Sequence, residues 1–252
     1  MHVGPSRTKA LLVCIFLGFS SGLPLFILYN LLSAWLKSEG VDLKAIGLFA
    51  LVGMPYTWKF LWAPAMDRFK LPFLGRRRGW MIFTQIAVML AVILMGQFNP
   101  STEIWIVVFL ASIVAFFSAS QDIVVDAHRR EWLTEGQMGS GTALFVNAYK
   151  LSTLVPGSLS LILSDLISWD WVFLITGLFM LPGILTTLLV SEPREYGPPP
   201  LTMKDAVIEP FKEFIHRSGW KHAALILLFI FLYKLGDSMA SALATPFYIE
   251  LG

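Results

Sequence analysis

Long apolar runs separated by short polar connections dominate the sequence. Each run is close to the roughly 20 residues that a helix needs to cross the hydrocarbon core of a bilayer. The runs occupy residues 10–36, 46–66, 80–98, 104–124, 138–163, 171–190 and 222–243. Because they are continuous and do not alternate between apolar and polar residues, helices are expected rather than barrel strands. The pattern therefore predicts seven membrane-spanning helices.

The composition agrees with this prediction. Hydrophobic residues make up 56% of the chain, charged residues only 14%, and the mean hydropathy is +0.68, whereas a soluble domain carries about a quarter charged residues. The net charge of +2 is too small to indicate a nucleic-acid partner. The single cysteine, Cys14, excludes an intrachain disulfide. We therefore expect an all-α polytopic protein surrounded by the lipid bilayer.

Lysine and arginine are distributed unevenly between the connections on alternate sides of the predicted membrane. One side holds 14 of the 19 basic residues, and the other holds only Lys37 and Lys44. Cytoplasmic loops carry the excess of basic residues, so the bias predicts a cytoplasmic amino terminus. The first run is longer than the apolar core of a cleaved signal peptide and is expected to remain as a span.

The longest connection covers residues 191–219 and contains three consecutive prolines at 198–200, which cannot continue a helix. Six spans before a cytoplasmic linker and a new span after it are typical of transporters built from two parallel bundles. We therefore predict a six-span bundle over 1–190, a linker over 191–219, and the first span of an incomplete second bundle over 220–252.

The connection between the second and third spans contains a distinct charge pattern. It reads Asp67-Arg68 and then Gly75-Arg76-Arg77-Arg78, directly next to a span. Adjacent arginines at a membrane surface are also explained by positive-inside anchoring alone. The whole pattern resembles the signature loop of the major facilitator superfamily. This resemblance implies that Asp67 caps a helix of the opposite bundle and latches one conformation, with Arg68, Arg76, Arg77 and Arg78 as its charge partners.

Longer segments on either side of this loop are more specific. Pro55-Tyr56-Thr57-Trp58-Lys59-Phe60-Leu61-Trp62-Ala63-Pro64 precedes it, and Gln121-Asp122-Ile123-Val124-Val125-Asp126-Ala127 follows, with Arg129 and Glu131 shortly after. These segments resemble the AmpG family of muropeptide permeases and the related acetyl-coenzyme A transporters, and the resemblance covers essentially the whole chain.

The family resemblance carries several expectations. It implies proton-driven import of anhydro-muropeptides, which are fragments of cell-wall turnover, across a bacterial inner membrane during peptidoglycan recycling. A complete member of the family has a full second bundle. The chain is therefore expected to be an amino-terminal half that needs a missing carboxy-terminal half or a second copy to enclose a path.

Charged residues inside spans are the default functional candidates, because a charge in lipid is costly unless it faces a cavity or a partner. Lys59 in the second span and Asp122 in the fourth both lie in the predicted cytoplasmic third. They are expected to pair, either at a functional site or as a structural ion pair. Asp126 lies one helical turn beyond Asp122 and close to Arg129 and Arg130, which predicts a gate or structural charge.

Lys150 lies near the middle of the fifth span, where transporter substrate sites are usually found. Asn147 shares its helical face and offers amide hydrogen bonds to a sugar or peptide, or to a neighbouring helix. In the seventh span, Lys234 and Asp237 are three residues apart and are able to neutralise each other. Asp237 or Asp122 is the predicted site of the coupling proton.

Other function classes fit less well. The four histidines form no HExxH pair, and neither GxSxG nor a glycine-rich phosphate loop occurs. We therefore expect no enzyme, no metal site and no cofactor, with the proton gradient as the energy source. A retinal pigment needs an acid in the third span, which has none. The open alternatives are a transporter of another solute such as an acyl-coenzyme A, a channel-like protein and a structural membrane protein.

Overall fold

A computed structural model of the protein describes residues 6–72, 74–193, 212–217, 219–229 and 232–233. The chain divides into two compact units, Met1–Pro199 and Pro200–Gly252. Regular structure in the described residues is entirely helical. Four helical segments are long and apolar enough to cross a membrane, namely Arg7–Ser38, Arg76–Met95, Ile104–Trp132 and Trp169–Leu189. The predicted all-α polytopic fold is therefore confirmed.

The described part of the first unit contains α-helices joined by short irregular turns. In chain order they are α1 (Arg7–Phe26), α2 (Leu32–Ser38), α3 (Leu43–Leu48), α4 (Met54–Trp58), α5 (Ala63–Arg68), α6 (Arg76–Met95), α7 (Ile104–Trp132), α8 (Glu135–Leu151), α9 (Ser160–Ser164), α10 (Trp169–Leu178) and α11 (Leu181–Leu189). Helix α1 packs against α7, α8 and α11, and α6 packs against α7, α10 and α11. In the second unit, residues 212–217 and Gly219–Phe229 are helical.

The second predicted span is a series of short helices. The 3-10 turns Phe49–Gly53 and Lys59–Leu61 interrupt it. Proline occupies the start of α4 and again the start of α5, at Pro55 and Pro64. Proline has no backbone N–H and fits the first turn of a helix better than its interior, so each proline begins a new segment. Lys59 consequently lies in an irregular turn between two short helices.

Two π-helical turns, Ile27–Leu31 and Val155–Leu159, interrupt the first and fifth predicted spans. Pro24 lies inside α1 just before the first turn, and Pro156 lies within the second. Proline removes a helical hydrogen bond, and an irregular turn accommodates the loss. The two turns contact each other, and the Asn30 amide nitrogen donates to the Thr153 hydroxyl at 3.0 Å.

Helix α1 approaches α8 closely because two glycines lie at the contact. A Cβ atom on Gly18 would overlap the backbone of Phe145, and one on Gly22 would overlap the Tyr149 carbonyl oxygen. Small residues allow this close approach of helices in membranes, where packing drives association. The contact holds α8 at a fixed position beside α1.

Helix α7 extends beyond the apolar run that predicted it. The run ends at residue 124, whereas the helix continues to Trp132. Hydropathy reports which residues lie in lipid, and a helix is free to continue into the polar region where its side chains find other partners. The additional turns carry Asp126, Arg129 and Glu131, which belong to the charge clusters described below.

Candidate functional site

A buried carboxylate joins three helical segments within the first unit. Lys59 Nζ lies 3.5 Å from Asp122 Oδ2, and the Ser21 hydroxyl donates to Asp122 Oδ1 at 2.5 Å. The Asp122 side chain is only 12% exposed, whereas that of Lys59 is 35% exposed. The pair expected from the sequence is therefore present, and the lysine side chain remains partly exposed.

Two tyrosines, Tyr56 and Tyr149, lie within electrostatic range of Asp122, and a third lies next to them. The buried Tyr56 hydroxyl of α4 faces Ser118 of α7, and Tyr29 and Tyr149 lie within electrostatic range of Tyr56. Tyr149 is also in range of both Asp122 and Asp126. The cluster thus combines one cation, two acids and several hydroxyl groups, which is a set able to bind carboxylates, amides and sugars.

Asn147 and Lys150 lie on the exposed side of α8, on the helix that brings Tyr149 to the cluster. Neither side chain makes a hydrogen bond or an ion pair with any residue that the structure describes. A lysine in the middle of a span is costly when it faces hydrocarbon. This side of α8 is therefore suited to a water-filled cavity or to another protein surface.

The exposed surfaces of α6, α10 and α11 differ from that of α8 in polarity. Every exposed residue of α6, α10 and α11 is apolar. They are Phe83, Ile86, Leu90 and Leu94 on α6, Trp171 and Leu178 on α10, and Leu181, Leu185, Leu188 and Leu189 on α11. These helices are suited to face lipid, so the unit has both an apolar surface and exposed intramembrane polar groups.

A second charge cluster lies where α5 ends and α6 begins. Arg77 is buried and donates to Asp67 Oδ1 at 2.5 Å. Its Nε also donates to both carboxylate oxygens of Glu131 at 3.0 and 3.1 Å. Arg76 Nη2 lies 3.6 Å from the same Glu131 carboxylate. Glu131 of α7 therefore balances two buried arginines.

Glu192, which follows α11, binds the start of α6 beside this second charge cluster. Its carboxylate accepts the backbone N–H groups of Arg77 and Arg78 at 2.6 and 2.9 Å, which satisfies free donors at the start of α6. Arg78 in turn donates to the carbonyls of Thr187 and Leu188 in the last turn of α11. Gly75 has φ +92°, and a Cβ there would lie 2.7 Å from Glu192 Cδ.

This geometry corrects the expected partners of Asp67. Among the described residues Asp67 pairs with Arg77 alone. Arg76 reaches Glu131 instead, and Arg78 donates to carbonyls of α11. The Arg68 guanidinium lies over the Phe69 ring, 5.7 Å from its centroid. The role of Asp67 as a cap on an opposite bundle stays a prediction.

The far end of α7 carries the remaining predicted gate residues. Arg129 lies 3.0 Å from Asp126 and 4.1 Å above the Phe145 ring. The Arg130 side chain is exposed and has no hydrogen-bond or ion-pair partner in the described part of the chain. The Trp132 indole donates to the Ser191 hydroxyl at 3.0 Å. Lys234 and Asp237 lie outside the described residues.

Sequence reasoning missed several of these partners. Ser21 and Asp122 are 101 residues apart, and Arg77 and Glu192 are 115 apart. Ser21 is an ordinary small residue within an apolar run, and Glu192 lies in the segment interpreted as a linker. Neither had a motif that pointed to its partner, so only the packing of the helices brings them together.

The chain is similar in sequence to a known family of membrane transporters. Residues 14–252 match the Major Facilitator Superfamily. An uncharacterized protein of Haemophilus influenzae is 44% identical over 247 residues, which cover 97% of this chain and 58% of that protein. The anhydromuropeptide permease of Escherichia coli K12 is 44% identical over 239 residues, which cover 94% of this chain and 48% of the permease.

A Rickettsia felis protein that carries the name AmpG 4 is 34% identical over 247 residues, which cover 94% of this chain and 59% of that protein. The resemblance to AmpG permeases seen in the motifs is thereby confirmed. The chain spans about half the length of the curated relatives that it matches. It is a multi-pass membrane protein that belongs to the major facilitator superfamily.

Proposed function

We propose that the first unit forms one side of the solute path of a secondary transporter. The observation that carries this proposal is the contrast in exposed residues. Asn147, Lys150 and part of Lys59 are exposed on membrane segments, while α6, α10 and α11 expose apolar residues alone. Lipid suits the apolar helices, and a charged solute in water suits the polar groups. A second bundle or a second copy of the chain would enclose the path.

The proposed cargo is an anhydro-muropeptide. The name of the Escherichia coli relative supports it, as does the chemistry of the exposed groups. Such a solute has carboxylates, peptide amides and sugar hydroxyls. Lys59 and Lys150 are suited to the carboxylates, and Asn147 and Tyr149 to the amides and hydroxyls. The family and the permease name favour a transporter over an enzyme, and we propose no cofactor.

We further propose that protons drive the transport through Asp122. When the carboxylate is ionised, it holds Lys59 at 3.5 Å. When it is protonated, its attraction for the ammonium group is lost and Lys59 becomes available to a carboxylate of the solute. Proton and solute then bind together more strongly than either binds alone, because each removes a cost to the other.

The proposed location is a bacterial inner membrane with the amino terminus in the cytoplasm. The excess of basic residues on one side supports this orientation. It places the cluster of Asp67, Arg77, Glu131 and Glu192 at the cytoplasmic surface. There the cluster is suited to hold one conformation of the transporter.

The test is uptake of labelled anhydro-muropeptide into membrane vesicles that bear this chain. Uptake is measured with and without a proton gradient, and with and without a second-half polypeptide from a full-length relative. We expect saturable, gradient-dependent uptake. Asp122→Asn should abolish accumulation driven by the gradient, whereas Asp165→Asn, at an exposed acid outside the cluster, should preserve it.

Each outcome decides a different part of the proposal. Uptake by the chain alone would support a second copy, and uptake only with the added polypeptide would support a second bundle. Uptake of an acyl-coenzyme A in place of the muropeptide would contradict the cargo. Undiminished accumulation by Asp122→Asn would remove Asp122 from the coupling site.

A further inference from the structure

A groove of about 340 Å³ lies between α5, α6 and α7, close to the start of the arginine run. Six aromatic rings line it, from Trp62, Phe69, Trp80, Phe83, Phe116 and Phe117. Phe83 and Phe116 are partly exposed, and Phe83 begins the apolar stripe that α6 presents at its surface. The groove therefore opens on the side of the unit that is suited to lipid.

The polar groups that line the groove are satisfied within the protein. The Trp62 indole donates to the Ser120 hydroxyl at 3.0 Å, and that hydroxyl donates to a carbonyl of its own helix. The Trp80 indole donates to the Phe69 carbonyl at 2.8 Å, and the Thr84 hydroxyl donates to the Trp80 carbonyl at 2.9 Å. No donor in this set is left for a polar ligand. The groove is thus suited to a hydrocarbon chain.

Arg68 supplies a positive charge at the rim of the groove. Its guanidinium lies 5.7 Å from the centroid of Phe69, which is one of the lining rings. It has no carboxylate partner among the residues that the structure describes. The neighbouring arginines are committed elsewhere, since Arg77 binds Glu131 and Arg78 binds carbonyls of α11. The charge of Arg68 is therefore open to an anion.

We propose that the groove binds an acyl chain of an anionic glycerophospholipid and that Arg68 pairs with its phosphate. An apolar groove beside an arginine that has no carboxylate partner in the described part of the chain combines the two parts of such a lipid. A zwitterionic lipid offers the same chains but no net charge, so the site should prefer the anionic class. The residues that line the groove do not include Lys59, Asp122 or Lys150, so the proposal does not depend on the identity of the cargo.

The test is lipid retention by the purified full chain in detergent. Equal amounts of phosphatidylglycerol and phosphatidylcholine with matched acyl chains are added, and bound lipid is counted by native mass spectrometry. We expect about a fivefold preference for phosphatidylglycerol, the effect of one basic residue at an anionic surface. Arg68→Gln should remove the preference. The matched control Arg130→Gln, at an exposed arginine outside the groove, should keep it.

A second variant tests the groove without changing the charge. Ala65 lines the groove, so Ala65→Phe should fill it and reduce retention of both lipids. The same pair of lipids with brominated chains should quench tryptophan fluorescence less in Ala65→Phe than in the unaltered chain.

Equal retention of the two lipids by the unaltered chain would overturn the proposal. An equal loss of the preference in Arg68→Gln and Arg130→Gln would also overturn it, because the effect would then belong to overall surface charge. A dimer whose groove is closed to brominated lipid would show that a second copy occupies it.

Discussion

Glu131→Gln is the substitution for which the structure makes the sharpest prediction. The Glu131 side chain is 18% exposed and faces the guanidinium groups of Arg76 and Arg77, each 7% exposed. Gln keeps the shape and removes the charge. Among the described residues, the two buried cations would then retain only Asp67 as an ion-pair partner, and it is bonded to Arg77.

The expected cost follows from the burial of the partners. Removing one member of a buried ion pair typically costs about 3–5 kcal/mol, because the remaining charge stays buried without compensation. Asp67 is 42% exposed and binds one arginine. Ion pairs that water reaches contribute about 0.2–1 kcal/mol. Glu131→Gln should therefore cost several times as much free energy of unfolding as Asp67→Asn.

The assay is reversible unfolding of the purified chain in mixed micelles, titrated with dodecyl sulfate and followed by circular dichroism. A double-mutant cycle with Arg77→Gln isolates the interaction, and Glu131→Gln should cost less in that background because Arg76 alone remains buried. If Asp67→Asn proved as costly as Glu131→Gln, the assignment of Glu131 as the main counter-ion would be refuted. So would a cycle without coupling between Glu131 and Arg77.

Three further substitutions test other parts of the structure. Gly18→Ala should destabilise the unit by about 1–3 kcal/mol in the same titration, because the added Cβ would overlap α8. The control Gly139→Ala should leave the stability unchanged, because its Cβ would meet no atom within 4 Å. Equal effects of the two substitutions would contradict the tight contact between α1 and α8. Gly75→Ala should cost about 1–3 kcal/mol of unfolding free energy, because φ is +92° and the added Cβ would approach Glu192. Glu192→Ala should relieve only part of this cost, because the backbone strain remains. Full relief would show that the backbone is unstrained. Lys150→Ala should raise the KM for uptake roughly tenfold, which corresponds to the loss of one charge-assisted hydrogen bond. The KM of Lys150→Arg should stay near that of the unaltered protein. An unchanged KM in Lys150→Ala would remove this lysine from the path.

The membrane fold could be predicted from the sequence because it depends on local properties. A run such as 80–98 is long enough to span and has no charge to oppose insertion. The helix α6 follows it closely, from Arg76 to Met95. The second span is less regular than its run of apolar residues indicates, because hydropathy does not record the helix breaks at Pro55 and Pro64.

Part of the candidate site could likewise be predicted from the sequence, and part could not. The sequence identified Lys59 and Asp122 because a charge in an apolar run is visible without a structure. It did not identify Ser21 as the third partner, since a serine in such a run is ordinary. The family resemblance also implied four arginine partners for Asp67, whereas the described residues show one of them, Arg77, in contact with it.

By itself, the sequence determined the helical class, the polar and apolar segments, the likeness to a transporter family and the residues that carry intramembrane charge. The tertiary structure decided which of these charges meet, that Glu131 and Glu192 organise the arginine run, and that an aromatic groove lies beside Arg68. The physical reason is that insertion depends on the composition of one segment at a time. Ion pairs and grooves depend on the packing between segments, and the angles and distances of that packing leave no periodic trace in the chain.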